Sequence, residues 1–242
     1  MAKYGPSSVS FFLVSGYSLA GTMTEMTFKK VGGSENTDGL GDAWQESTPT
    51  GRLSGELYQT GWFDDASKSS VDALVVNPGT LSRVICVAPV GGTKGKAFTG
   101  FEGAYSSEVE RIIEKEGLHK LNCTYRISGA IEEGYIVEAL TAQTATGNSA
   151  SLDNSASSAN GGSAYIQVTA ESGTSPTMAV KVQHSADDSS FADLITFTTA
   201  STVSAERKTV AGTVNRYLRV NRTVGGSSTP SITYMVAFSR GE

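Results

Sequence analysis

The chain has 242 residues, 38% hydrophobic and 18% charged, with a formal net charge of −5. That much apolar material with so little net charge excludes a disordered chain. The mild acidity excludes a dedicated nucleic-acid binder, which needs a basic stripe to displace counterions from phosphates. The length suits one large β domain or two smaller ones, and either buries a core without staples. The 27 glycines, with abundant Ser, Thr and Ala, suit short strands joined by many turns.

In chain order, residues 9–14 read as a short buried strand and residues 19–30 as a second strand. Residues 31–50, rich in Gly, Asp, Asn, Ser and Pro, read as a long polar loop, a kind of segment that is usually functional. Residues 52–58 return to a strand pattern. Residues 64–74 predict a short helix with Ala66, Val71 and Leu74 apolar and Asp64 or Asp65 as its cap. Residues 81–90 are a β-branched buried strand. Residues 101–114 fit a helix or a strand, and the strand gives the cleaner split. Phe101, Tyr105, Val109 and Ile113 then share one face, while Glu102, Glu108, Glu110 and Glu114 share the other. Residues 121–128 alternate strictly, with Leu121, Cys123, Tyr125 and Ile127 inward, and residues 135–140 close the first half.

Composition shifts near residue 143. Residues 141–163 read as a linker with the first weak edge of a second domain, giving domains 1–143 and 144–242. The second half predicts strands at 164–170, 178–184, 194–198, 208–210, 216–221 and 232–239, with turns at 173–176, 186–190 and 225–230. The fold class is mostly β: an N-terminal β-sandwich or barrel with one short helix, then a C-terminal β-sandwich of jelly-roll or immunoglobulin-like type.

Cys86 and Cys123 sit in apolar alternating runs and read as buried free thiols. With no export signal in view, the expectation is synthesis and folding in a cytoplasm. Residues 90–97 look superficially like a phosphate-binding loop, but Val90 and Ala97 stand where the pattern needs Gly and Ser/Thr. Neither His119 and His184 nor the cysteines have metal-ligand spacing, and no serine nucleophile has a histidine partner set by sequence. The expectation is no enzyme, no metal and no cofactor. Asp187 and Asp188 read as turn residues rather than a cation site. Arg216, Arg219 and Arg222 read as solvated sheet positions or as partners of Asp and Glu on neighbouring strands, rather than as a basic patch for anionic glycans or nucleic acid.

The second half also carries a resemblance. Met178-Ala-Val-Lys-Val-Gln-His-Ser-Ala-Asp-Asp-Ser-Ser-Phe-Ala-Asp-Leu194, Ile195-Thr-Phe-Thr198 and Arg216-Tyr-Leu-Arg-Val220 resemble the C-terminal β-sandwich module of tailed-bacteriophage virion proteins. In the first half, Glu116-Gly-Leu-His-Lys-Leu-Asn-Cys-Thr-Tyr-Arg-Ile-Ser-Gly129 and Glu133-Gly-Tyr-Ile136 resemble the closing strands of a siphovirus-type tail-tube, or major tail, protein. Thr50-Gly-Arg-Leu-Ser-Gly55 and Gly61-Trp-Phe-Asp64 stand where that family returns from its long loop. The resemblance implies hexameric rings stacked into a hollow tail tube for DNA ejection. It places Gly33, Asn36, Asp38, Gly41, Asp42 and Trp44 on a ring-stacking loop. It turns the acidic face of Glu102, Glu108, Glu110 and Glu114 from an ordinary solvated strand face into the wall of a lumen. The partners it implies are further copies of the chain, tape-measure and other tail proteins, double-stranded DNA in transit, and weak host-surface glycans on the outer sandwich, with no membrane insertion. The rival readings are a capsid decoration or baseplate protein, and a carbohydrate-binding adhesin module presenting Tyr165, Phe191, Tyr217 and Tyr234.

Overall fold

The structure is a computed structural model that describes residues 9–37, 47–66, 74, 79 and 83–241. Its described elements are strands: β1 (Phe11–Val14), β2 (Tyr17–Ser18), β3 (Met23–Asn36), β4 (Ser47–Trp62), β5 (Arg83–Ala88), β6 (Ala97–Ile112), β7 (Lys120–Ile127), β8 (Ile131–Gln143), β9 (Gly147–Asn148), β10 (Leu152–Asp153), β11 (Gly162–Ser185), β12 (Ala192–Thr196), β13 (Ser204–Val210) and β14 (Tyr217–Arg240). The fold is mostly β, as the alternation predicts. The helix expected over residues 64–74 falls largely outside the described residues; Leu74 itself is fully buried.

Hydrogen bonding links all fourteen strands into one branched sheet with the path β12-β11-β14-β8-β6-β5-β1-β2, and β7, β4 and β3 branch from β6. Strand alternation then builds three stacked cores. Phe12 and Val14 of β1 and Ile85 and Val87 of β5 point into the first core, with Leu57, Leu121, Cys123, Tyr125 and Ile127. The intervening Phe11, Leu13, Cys86 and Ala88 point into a middle core, against Phe98, Ile136, Tyr165, Met235 and Ala237. Ile166, Val168, Tyr234 and Val236 fill the third. Strands apolar on both faces are buried on both faces, so the unbroken runs at 11–14 and 84–88 have a direct cause. The middle core draws on both halves of the chain and joins them through one apolar layer.

Both cysteines are buried and free. Burial pushes each thiol up to about 12, so both stay protonated.

Two expected turns are absent. β11 runs through residues 173–176 and β14 through residues 225–230, and these segments oppose each other, Thr174 with Ser227 and Thr177 with Gly225. The register shifts there, with Gly173 at φ 100° and Gly226 at φ 116°. Glycines at positive φ serve a bulge as readily as a turn. Here they bend two long strands so that each serves two layers. Residues 141–163, expected as a linker, are bound along β14: Asn148 opposes Asn221 and Leu152 opposes Leu218. Small polar residues make those backbone ladders without a core of their own.

Gly100 allows the closest approach in the middle core. A Cβ there would lie 2.5 Å from Tyr165 Cζ and 2.6 Å from Phe98 Cζ, between two rings whose centroids are 5.1 Å apart. Gly100→Ala is expected to destabilise by about 1–3 kcal/mol through overpacking, read as a lowered urea midpoint with unchanged slope.

Candidate assembly surface

β3, β4, β7 and β6 form an antiparallel sheet in that order. One face lies on the first core. The other is polar and open, and its rows follow from the register. Lys29, Glu56, Arg126 and Tyr105 stand side by side; Thr27, Tyr58, Thr124 and Glu108 form the next row; Glu25, Thr60, Asn122 and Glu110 the third. Local pairs occupy Glu56, Arg126, Tyr58, Asn122 and Glu110. Arg126 Nη2 lies 3.8 Å from Glu56 Oε1, the Tyr58 hydroxyl donates to Glu56, and Asn122 Nδ2 donates to Glu110 at 3.1 Å.

Among the described residues both outer edges of this sheet are open: β3 pairs with no strand but β4, and Gly79 N donates to Ser106 O where the free part of the β6 edge begins. β6 pairs with β5 as far as Ala104, and beyond Ser106 no described strand lies on that side.

The four acidic candidates separate. Glu108 and Glu110 are exposed on the open face. Glu114 lies past the end of β6 and accepts from Lys120 Nζ at 2.9 Å. Glu102 leaves the group: its Oε1 accepts from Arg207 Nη1 at 2.7 Å and its Oε2 from Ala130 N at 3.3 Å. β6 is the strand preferred from sequence, but its alternation is broken twice, by a bulge at Gly103 (φ 58°) and by a register shift between Ser106 and Glu108. Between the bulges the even positions Ala104 and Ser106 turn inward, while Phe101 and Val109 do so outside them.

Of the stacking-loop candidates, Gly33 and Asn36 lie in β3; Asp38, Gly41, Asp42 and Trp44 lie outside the described residues. Residues 31–36 and 47–50 are paired strand rather than loop. Backbone pairing in a hairpin needs no apolar side chains, which is why polarity suggested a loop. Beyond the Lys30–Gly55 pair this arm stands free of the cores, with Val31 50% and Leu53 80% exposed. Over residues 31–36 it reaches roughly 20 Å at ~3.3 Å per residue. A two-stranded ribbon exposed on both faces is marginal alone. At its foot, Leu53 and Lys30 face Ser239 and Arg240 across a groove of about 320 Å³.

The residue that sequence reasoning missed is Arg207. From β13 it donates through Nε and Nη2 to Glu132 of β8 at 2.9 and 2.7 Å, through Nη1 to Glu102, and through Nη2 to Ser163 at 2.9 Å. The Tyr165 hydroxyl also donates to Glu132. Burial by itself would raise the Glu132 carboxyl, but Arg207, Tyr165 and Ser163 together hold it below the usual range. These partners are up to 105 residues apart in sequence, so no local signal points to them.

Of the three arginines singled out from sequence, Arg216 and Arg222 meet carboxylates, while Arg219 donates to Gln183 at 2.8 Å. Arg216 binds Asp153 through two bonds of 2.7 and 2.6 Å, Arg222 Nη1 lies 3.6 Å from Glu138, and Arg219 sits 3.9 Å over the Phe191 ring. Tyr165 and Tyr234 are fully buried, and Tyr217 lies under Arg216. Asp187 Oδ1 accepts from Ser189 N and Ser190 N and so holds a turn. Among the described residues, no group of three or more His, Cys, Asp or Glu could hold a metal ion.

No protein-family model matches the chain, and no curated protein matches it with significance. Among solved structures it is similar to a chain from the virion of a native gene transfer agent particle, at 13% identity and a TM-score of 0.39, over 54% of this chain and 97% of that one. A chain from the tail of an empty gene transfer agent particle, treated with C6 helical symmetry, gives the same values. The Dit protein of SPP1, described as a paradigm of the hub adsorption apparatus in phages infecting Gram-positive bacteria, is similar over 96% of this chain and 99% of its own, at 11% identity and a TM-score of 0.37. These are remote likenesses. All three come from virions, tails or tail hubs, and they assign the chain to no family.

Proposed function

We propose that this protein is a non-enzymatic structural component of a phage-type tail, made in the host cytoplasm and carried in the virion. Copies close into rings, hexameric by the resemblance, and the rings stack into a hollow tube that conducts double-stranded DNA.

The observation that carries this reading is the pair of open edges on the β3-β4-β7-β6 sheet. The sheet has an even number of antiparallel strands, so its two outer strands run in opposite directions. The β6 edge of one copy therefore meets the β3 edge of the next in antiparallel sense, a head-to-tail contact that can close on itself. Closure removes both exposed edges, which would otherwise invite uncontrolled pairing. One face of each sheet stays on its core, and the polar face carrying Glu108 and Glu110 lines the lumen, where carboxylates repel passing phosphates. The paired segments 31–36 and 47–50 extend along the strand direction, out of the ring plane, toward the neighbouring ring. Residues 1–143 form the tube domain and residues 144–242 an outer sandwich, joined through the middle core. Tape-measure and other tail proteins are the expected further partners. The glycan-binding alternative is weakened by the burial of Tyr165 and Tyr234.

Negative-stain electron microscopy of the purified chain is expected to show annular particles with a central hole, alone and in stacks. A monodisperse monomer or trimer at high concentration would overturn the ring reading in favour of a decoration protein.

A further inference from the structure

Resting on the ring reading above, we propose that neighbouring copies are keyed in register by an ion pair between Lys29 on the open edge of β3 and Glu108 on the open edge of β6 in the next copy. Both side chains are exposed and both project from the polar face. Their neighbours are occupied: Arg126 by Glu56, Glu110 by Asn122, Lys120 by Glu114, and Lys30 lies 3.9 Å from Glu133. Lys29 Nζ rests 5.0 Å from the Tyr58 ring, and among the described residues neither Lys29 nor Glu108 has an oppositely charged partner. The β3 edge thus presents Lys29 as an uncommitted positive charge beside the carboxylate of Glu25, and the β6 edge presents Glu108 as an uncommitted negative one.

The charge pattern also selects the register. Alternation allows only shifts of two residues, because a shift of one turns every side chain to the wrong face. With no stagger between copies, Glu25 falls opposite Glu110, since both lie in one row of the sheet. A two-residue shift in one direction sets Glu25 against Glu108. Like charges directly opposite are destabilising. The same shift in the other direction, roughly 7 Å, sets Lys29 against Glu108, Thr27 against Glu110 and Glu25 against Ile112. That arrangement contains one attraction and no repulsion. A closed barrel requires such a stagger, and the contact repeats at every interface of the ring, so a small preference at one edge multiplies.

The test combines charge reversal with cross-linking, scored by ring formation in the full-length chain. Lys29→Glu and Glu108→Lys are each expected to raise the concentration needed for half-assembly by about ten-fold or more, and the double reversal to restore it. Both sites are exposed, so the thermal midpoint of the dissociated protein should stay the same in all three. Lys29→Cys with Glu108→Cys is expected to form oxidised ladders ending at the ring; the native thiols are buried and do not compete. If the unmodified chain forms no ring, the ring reading and this inference fall together. If it forms rings but both reversals assemble normally and the cysteines do not cross-link, the pair falls and the ring stands. Ladders from Lys29→Cys with Glu110→Cys in place of Glu108→Cys would overturn the register.

Discussion

Excision of residues 31–50 is expected to leave single rings where the full chain forms stacked tubes. The arm makes this a clean cut. Lys30 and Gly55 face each other in register, so the excision leaves residues 51–54 as a four-residue hairpin loop, a length that antiparallel strands accept. No described residue of the arm beyond that pair belongs to any of the three cores, and the thermal midpoint of the subunit should change little. The ring contact proposed through β3 lies mainly below the cut, at Glu25, Thr27 and Lys29. Stacking alone should therefore be lost, and electron micrographs should show tube lengths collapsing to one ring. Tubes of unchanged length would remove the arm from the stacking contact.

The second large effect is on stability. Arg207→Ala is expected to cost about 3–5 kcal/mol, the range found when one partner of a buried ion pair is removed. The Arg207 and Glu132 side chains are only 14% and 17% exposed, and the truncation strands Glu132 among Tyr165 and Ser163 without its cation. Glu102, at 40% exposed, is better solvated and loses less. Urea unfolding reads the loss as a lower midpoint. The pH dependence gives an independent sign. Because the folded-state Glu132 carboxyl is held below its unfolded value, near 4.3 for a free glutamate, its contribution is complete above that value. It is lost as pH falls through the folded value. The gap between native chain and variant should therefore be widest at neutral pH and narrow below about pH 4. A constant gap would mean that Arg207 acts through packing alone.

The strands and the inward positions of the first core were legible because alternation reports burial directly: Leu121, Cys123, Tyr125 and Ile127 all lie in that core. The double-faced strands at 11–14 and 84–88 were visible as unbroken apolar runs, though the run cannot say which face meets which core. The bends in β11 and β14 were misread as turns because Gly and Ser at positive φ, with Pro beside them, have the same composition in either role. The arm was misread as a loop because its pairing uses backbone alone. Glu102 was grouped with Glu108 and Glu110 by a period of two, and a bulge at Gly103 with a cation 105 residues away separates it from them.

Composition, alternation and the two isolated cysteines determined by themselves that this is a β protein with buried thiols, because burial on a pleated strand imprints a two-residue period on any sequence that adopts it. Only the tertiary structure decided that the two halves share a core, that Arg207 ties four strands together, and that β3 and β6, among the described residues, end as open edges of opposite direction. Each of these depends on which strands become neighbours. Pairing between distant strands is made by backbone groups that every residue carries, so it leaves no local mark in the sequence.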